Sequence, residues 1–348
     1  MGAARVLAIR GITLFTVLIV VLLLLVIILG ATGVSDRILS AVVNQNVRDQ
    51  RQALAQTIKD PTQLEAVLQQ RQVELDHFYG LDRPWYMRLP ADVWRVLTLN
   101  LGSASTLRTV SGSSKISDLV LERLPNTIML VTTATAITAV IGLLVGVRLA
   151  VKVGSRVDRA ASYASAASNA LPSWWVGIIF ILVFSLGLGV FPLGGMVSAP
   201  PPSGVLHRAL DLAWHAALPV LTLVVISLGG WVYSVRTMVL NIAQEDYVTT
   251  ARAKGLPESL VMRRHILRVA APPIVTALIL GLAGSLGGAI LTESVFNWPG
   301  MGLLFYQAVL SLDEGLIVAL TFMFTLIYIV ARFVLEVLYI VLDPRVRY

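Results

Sequence analysis

The 348-residue sequence has no cysteine, only four lysines and four histidines, and few charges, with 14% of its residues Asp, Glu, Lys or Arg. Each scarcity excludes a kind of chemistry. Without cysteine there is no disulfide framework, no thiol nucleophile and no thiolate-held zinc or iron–sulfur site. None of the lysines (Lys59, Lys115, Lys152 and Lys254) is followed by Ser or Thr, so the phosphate-cradling loop GxxxxGK[ST] is missing. The histidines (His77, His207, His215 and His265) form no HExxH, and GxSxG does not occur. The residues therefore point to a catalytically silent chain with no cofactor or metal of its own.

What is abundant is apolar sequence. With 56% hydrophobic residues and a mean hydropathy of +0.79, the chain falls outside the range of soluble domains. Apolar runs of 18 or more residues recur, each long enough to cross a hydrocarbon layer of about 30 Å. Six spans are expected: Ile12–Leu29, Asn126–Leu149, Ala160–Val190, Ala213–Val235, Ile274–Leu291 and Gly315–Leu342. The first is preceded by Arg5 and Arg10 and exceeds a signal-peptide core, so it reads as a retained span.

The net charge of +7 follows membrane topology, which excludes a nucleic-acid partner. Residues 148–159 carry Arg148, Lys152, Arg156 and Arg159 against Asp158; residues 236–271 carry six basic against three acidic side chains. The alternate connections, 191–212 and 292–314, are neutral or acidic. By the positive-inside rule both termini are expected in the cytoplasm. The expectation is an all-α multi-pass protein. Residues 1–34 hold the N-terminal tail and first span, 35–125 an external subdomain between spans one and two, and 126–348 the membrane core.

In the external segment, Asp60-Pro61 reads as an N-cap followed by proline at the first helical position, with a helix through Phe78 and Gly80 at its left-handed end. Pro200-Pro201-Pro202 predicts a stiff, non-helical loop. The fifth span holds Gly281, Ala283, Gly284, Ser285, Gly287, Gly288 and Ala289, and the second a Gly142/Gly146 pair, which suit close helix packing or a moving path helix alike. No carboxylate falls at a span's centre, which disfavours a proton- or ion-coupled carrier; Glu293, at the outer end of span five, reads as interfacial.

The loop 236–271 is the most informative stretch. It predicts two short helices at an angle. Glu245 and Asp246 lie early in the first and Arg252 and Lys254 in its last turn, matching the helix dipole; Gly255 is placed to adopt positive φ, and Pro257 stops the helix while starting the next. A helix this short is marginal alone and must be held by the membrane surface or a partner.

Three features, Glu245-Asp246-Tyr247, Ala251-Arg252-Ala253-Lys254-Gly255-Leu256 and Arg264-His265 through Leu267-Arg268, resemble the EAA loop of ABC importer permeases in its dipeptide/oligopeptide and nickel branch. Thr249 and Thr250 replace the Glu and Ala of the general pattern, while Ala251, Gly255 and Leu267 are kept. Gly80-Leu81-Asp82-Arg83-Pro84 with Asn100-Leu101-Gly102 is similar to the stretch before that family's second span. Glu293-Ser294-Val295-Phe296-Asn297-Trp298-Pro299-Gly300-Met301-Gly302 resembles its E-x-V-F-x-W-P-G-x-G segment, and Leu342-Asp343-Pro344-Arg345-Val346-Arg347-Tyr348 its C-terminus. Departures are Leu303, Val269 and the segment 31–59.

The resemblance implies the B-type membrane subunit of a prokaryotic cell-membrane importer. It would pair with a second homologous permease, dock on two P-loop ATPases that bind ATP and Mg, and receive substrate from an extracytoplasmic solute-binding protein. Glu245, Asp246, Tyr247, Ala251, Arg252 and Gly255 are the expected ATPase-coupling set. Di- or oligopeptides are the first substrate it implies, with oligosaccharides or nickel chelates next. From residues alone, a stand-alone secondary transporter or a membrane sensor remains a reading of a different class.

Overall fold

Long apolar runs leave the backbone no water to bond, and an α-helix satisfies every interior N–H and C=O within one segment. The computed structural model describes residues 3–342 except 32, 56, 57, 99, 100, 105 and 152, some helical residues by backbone only. It is helical almost throughout; an isolated antiparallel bridge joins Ser103 and Lys115. Lys152, Asn100 and the C-terminal motif 343–348 lie outside the described residues.

Two compact units divide the chain, one of residues 1–10, 123–306 and 327–348, the other of 11–122 and 307–326. The second unit holds most of α1 (Ala3–Ala31), then α2 (Val34–Leu54), α3 (Pro61–Phe78) and α4 (Trp85–Leu97). α3 begins and ends as its sequence dictates. Asp60 Oδ1 accepts from the Thr62 amide at 2.9 Å with Pro61 next to it. At the other end Gly80 adopts φ +71°, and the amides of Gly80 and Leu81 donate to the carbonyls of His77 and Asp76. Arg51 of α2 pairs with Glu65 of α3 at 2.8 Å.

The larger unit contains α5 (Ile116–Val151) from residue 123 onward, α6 (Arg156–Ala170), α7 (Ser173–Phe180, extended by a π turn to Gly187) and α8 (Val205–Ala243). It continues with α9 (Asp246–Ala253), α10 (Glu258–Leu260, extended by a π turn to Leu267), α11 (Arg268–Gly288), α12 (Ile290–Val295) and α13 (Met301–Leu310) up to residue 306. The last helix, α14 (Glu314–Leu342), belongs in part to each unit. Residues 191–204, with the three prolines, contain no helix.

Among the described residues four helical stretches are long and apolar enough to cross a membrane, 116–151, 205–243, 258–281 and 315–334; a bent pair, 156–170 with 173–187, makes a fifth. Within α1 the described apolar stretch is 11–24. The third span expected over 160–190 is broken by a 97° bend. Pro172 explains the break, because the residue before a proline is pushed out of the α region, and Leu171 sits at φ −84°, ψ 126°.

The helix pair α5/α8 shows why glycine is needed where the sequence has it. A Cβ on Gly142 would run into the Trp231 ring, and one on Gly146 would meet the Val232 carbonyl and Val235 at 2.9 Å. Both glycines of the pair therefore face α8 and let the backbones approach. Of the small residues in span five, Ala289 is buried, while the side chains at 282–288 lie outside the description.

Candidate coupling site

The eight-residue helix α9 is too short to be stable in isolation, so its support is the first question. Val248 and Ala251, spaced i, i+3, lie on one face and are buried in an apolar cluster with Val235 and Val239 of α8, Val261 and Ile266 of the π turn, and Ala270 of α11. Ala251 was expected in the docking set, yet the structure places it underneath the helix.

Both ends are closed by backbone chemistry. Glu245 is the N-cap residue in extended conformation (φ −68°, ψ 145°), with Asp246 in the first turn. At the other end Gly255 adopts φ +77°, its amide donating to the Arg252 carbonyl at 2.9 Å and the Leu256 amide to the Ala251 carbonyl at 3.4 Å. These two bonds form a Schellman cap, and Leu256 completes it by packing on the apolar cluster. A Cβ at Gly255 meets nothing within 4 Å, so the demand for glycine is conformational and the surroundings are open.

Two polar links hold α9 against the segment that follows. Arg252 forks onto Glu258, Nε at 3.1 Å and Nη2 at 2.7 Å, bridging the Gly255-Leu256-Pro257 turn. That bond to Glu258 raises the Arg252 pKa above its ordinary value. The Tyr247 hydroxyl donates to the His265 carbonyl at 3.2 Å; burial, and then the nearby Glu245 charge, push its pKa up and keep the proton that makes the bond. Five of the six expected residues, Glu245, Asp246, Tyr247, Arg252 and Gly255, are thus gathered on the exposed side of one helix and its caps, joined by exposed Thr249, Thr250, Ala253 and Lys254.

Two arrangements escaped the sequence reading. Asp158 of α6 and Arg236 of α8 form a bidentate ion pair, Nη2 to Oδ2 at 2.7 Å and Nε to Oδ1 closer still, with only 4% and 14% of the side chains exposed. Asp158 also accepts from the Gly154 amide at 2.9 Å. The pair clamps α8 to α6 shortly before α8 ends and α9 begins. The signal was available, since opposite charges stood in two loops assigned to the same side of the membrane, but nothing singled these out from their neighbours.

The other is Glu293, which is wholly buried within the protein. Its Oε1 accepts from Thr127 Oγ1 at 2.8 Å, and its Oε2 accepts from the amides of Gly302 at 2.7 Å and Leu303 at 3.0 Å. A carboxylate thereby caps the N-terminus of α13, where orphan donors and the helix dipole favour it. Thr127 accepts from the Met301 amide at 2.7 Å, Asn126 Nδ2 donates to the Pro299 carbonyl at 2.7 Å, and Trp298 Nε1 donates to the Asn126 carbonyl at 3.1 Å. A Cβ on Gly300 would strike both Glu293 Oε2 and Thr127 Oγ1. The 293–302 motif is therefore a knot that ties Asn126 and Thr127 of α5 to α12 and the start of α13.

Residues 139–348 match the family described as "Binding-protein-dependent transport system inner membrane component". The chain is 31% identical over 270 residues to the oligopeptide transport system permease protein AppB of Bacillus subtilis (strain 168), covering 78% of this chain and 83% of that protein. It is 32% identical over 293 residues to the di/tripeptide transport system permease protein DppB of Pseudomonas aeruginosa (strain UCBPP-PA14), covering 80% and 86%. A putative peptide permease protein of Brucella suis biovar 1 (strain 1330) is 34% identical over 270 residues, covering 77% and 82%. Among solved structures, one titled "Inward facing conformations of the MetNI methionine ABC transporter: CY5 native crystal form" aligns with a TM-score of 0.49 and 19% identity, over 65% of this chain and 98% of that one.

Proposed function

We propose, for a chain that belongs to the family of binding-protein-dependent transport system inner membrane components, that it is the membrane-spanning permease of an ATP-driven importer of di- or oligopeptides. The peptide assignment rests on the relatives named as oligopeptide and di/tripeptide permeases. The chain spans the bilayer in several passes with both termini in the cytoplasm. A second homologous permease completes the path, two P-loop ATPases bind ATP and Mg and dock on the cytoplasmic side, and a solute-binding protein delivers peptide from outside. This chain itself carries out no chemistry.

The observation that carries the coupling role is α9, a capped helix seated on Val248 and Ala251 with its other face exposed. That outward face, Glu245, Asp246, Tyr247 and Arg252 with Gly255 at its end, lodges in a groove of one ATPase. Closure of the ATPase pair on ATP moves α9 as a rigid body. Because α9 and α10 form the connection between α8 and α11, both helices tilt with it, and the path alternates between inward- and outward-open states.

The test is purification of the tagged chain from its native membrane, with and without Gly255→Trp, together with uptake of radiolabelled tripeptides by cells. The expected result is a second permease and P-loop ATPases with the native chain, and a Gly255→Trp chain that inserts normally but supports no uptake. A native chain recovered alone, with uptake unchanged by the substitution, overturns the reading.

A further inference from the structure

The larger unit encloses a half-open cavity of about 240 Å³ at the level where α5, α8 and α11 cross. α5 contributes Thr135 and Thr138, α8 contributes Ser227, Trp231 and Ser234, and α11 contributes Gly281, with apolar neighbours between them and no charged side chain among the described lining residues. Pockets for whole drug-sized ligands run to about 300–1,000 Å³, so this one suits a single side chain with its adjoining amide.

Its hydroxyls behave unusually. Elsewhere on the same three helices Thr132, Thr222 and Thr276 return their hydroxyl protons to the carbonyl four residues back, as does Ser234 at the cavity. Thr135, Thr138 and Ser227 make no such bond, and among the described residues their hydroxyls have no partner. Thr138 is more than nine-tenths buried, at 7% exposure, and is one of the residues that line the cavity. Hydroxyls that line a cavity without a protein partner are open to an occupant that supplies a donor or acceptor. The absence of charge penalises an ionic one at membrane depth.

We propose that this cavity is a side-chain pocket on the translocation path, receiving an uncharged side chain of the transported peptide while Thr138 and Ser227 bond to the flanking backbone amide. The proposal rests on the peptide-importer reading above. Connectivity supports it independently: α8 and α11, which form two of the three walls, are the helices at either end of the loop that holds α9 and α10. Displacing α9 therefore pulls on both walls, and the pocket opens and closes with the coupling helix.

The chain's lack of cysteine gives a direct test in the full transporter. In Ser227→Cys, a water-soluble thiol reagent should label this chain in proteoliposomes, and saturating Ala-Leu-Ala should slow the labelling. Gly281 lines the cavity and a Cβ there meets nothing within 4 Å, so Gly281→Leu is the variant chosen to crowd the pocket. It should cut Ala-Leu-Ala uptake at least about tenfold while Ala-Gly-Ala uptake falls far less. Thr138→Val should cost about 3- to 10-fold in Ala-Leu-Ala uptake, the worth of one hydrogen bond.

Labelling of Ser227→Cys only by a membrane-permeant reagent would place the cavity against lipid and overturn the proposal. Equal loss of both peptides in Gly281→Leu would overturn it too. If the native transporter imports neither peptide, the substrate reading itself has failed, which is evident before any variant is made, and this inference falls with it.

Discussion

Removing the Glu293 carboxylate tests whether the 293–302 motif is a structural knot. Three donors converge on it, the Thr127 hydroxyl and the amides of Gly302 and Leu303, and the side chain is 0% exposed. In Glu293→Ala the Thr127 hydroxyl can rotate to another acceptor, but the two amides cannot move without unwinding α13. A buried donor left unpaired costs about 1–3 kcal/mol, so two cost roughly 2–6 kcal/mol. Glu293→Gln keeps one carbonyl oxygen, enough for the two amides that share Oε2, and turns its NH₂ toward Thr127, which can accept. The amide variant should therefore lose much less. At about 2–4 °C per kcal/mol for a unit of this size, thermal unfolding of the detergent-purified chain should fall by at least about 4 °C in Glu293→Ala. Glu293→Gln should lie between it and the native protein. A Glu293→Ala midpoint unchanged from native, or a Glu293→Gln midpoint below that of Glu293→Ala, refutes the capping argument.

Three further outcomes follow from the coupling region. Gly255→Ala should raise the free energy of the α9 cap by about 1–2 kcal/mol, because φ +77° is left-handed. Gly255→Asn should be milder, and uptake in cells should rank Gly, Asn, Ala from highest to lowest. Asp158→Arg and Arg236→Asp should each abolish uptake, and the double exchange should restore part of it. Full restoration is not expected, because Asp158 also accepts from the Gly154 amide. Equal loss in the double variant, read by uptake against the amount of assembled complex, would remove the clamp role. Arg252→Ala should change thermal stability by at most about 1 kcal/mol, since the Arg252–Glu258 pair is 42% and 55% exposed and screened by salt. A drop of several degrees that persists in high salt would show that the fork holds more than the turn.

What was legible in the sequence was local. The Asp60 cap, the left-handed Gly80 and Gly255, and the break at Pro257 each depend on residues within one turn of chain, so residue type alone decides them. The facing of Ala251 was within reach too, because it lies three residues after Val248 on a helix whose apolar positions had to face the protein. The bend in the third span was masked by hydropathy. The run 160–190 is apolar enough to read as one helix, and the effect of Pro172 on Leu171 acts on backbone angles that hydropathy ignores. Asp158–Arg236 and Thr127–Glu293 join residues 78 and 166 apart in sequence, and no periodicity reports such a contact.

The long-range contacts and the local ones serve one mechanical arrangement. A helix of 39 residues at 1.5 Å per residue, α8, is about 58 Å long, more than the bilayer's hydrocarbon needs. Its surplus length carries it out to α9 through a joint of two residues, Gln244 and Glu245. If that joint were loose, motion of α9 would be absorbed there and never reach the cavity wall at Leu223 to Ser234. Three features stiffen it: the apolar base shared by Val239, Val248 and Ala251, the Asp158–Arg236 clamp just upstream, and the Arg252–Glu258 fork just downstream. Force applied to α9 therefore has two outlets, α8 before the loop and α11 after it, and these are the helices whose small and hydroxyl-bearing residues face each other across the cavity.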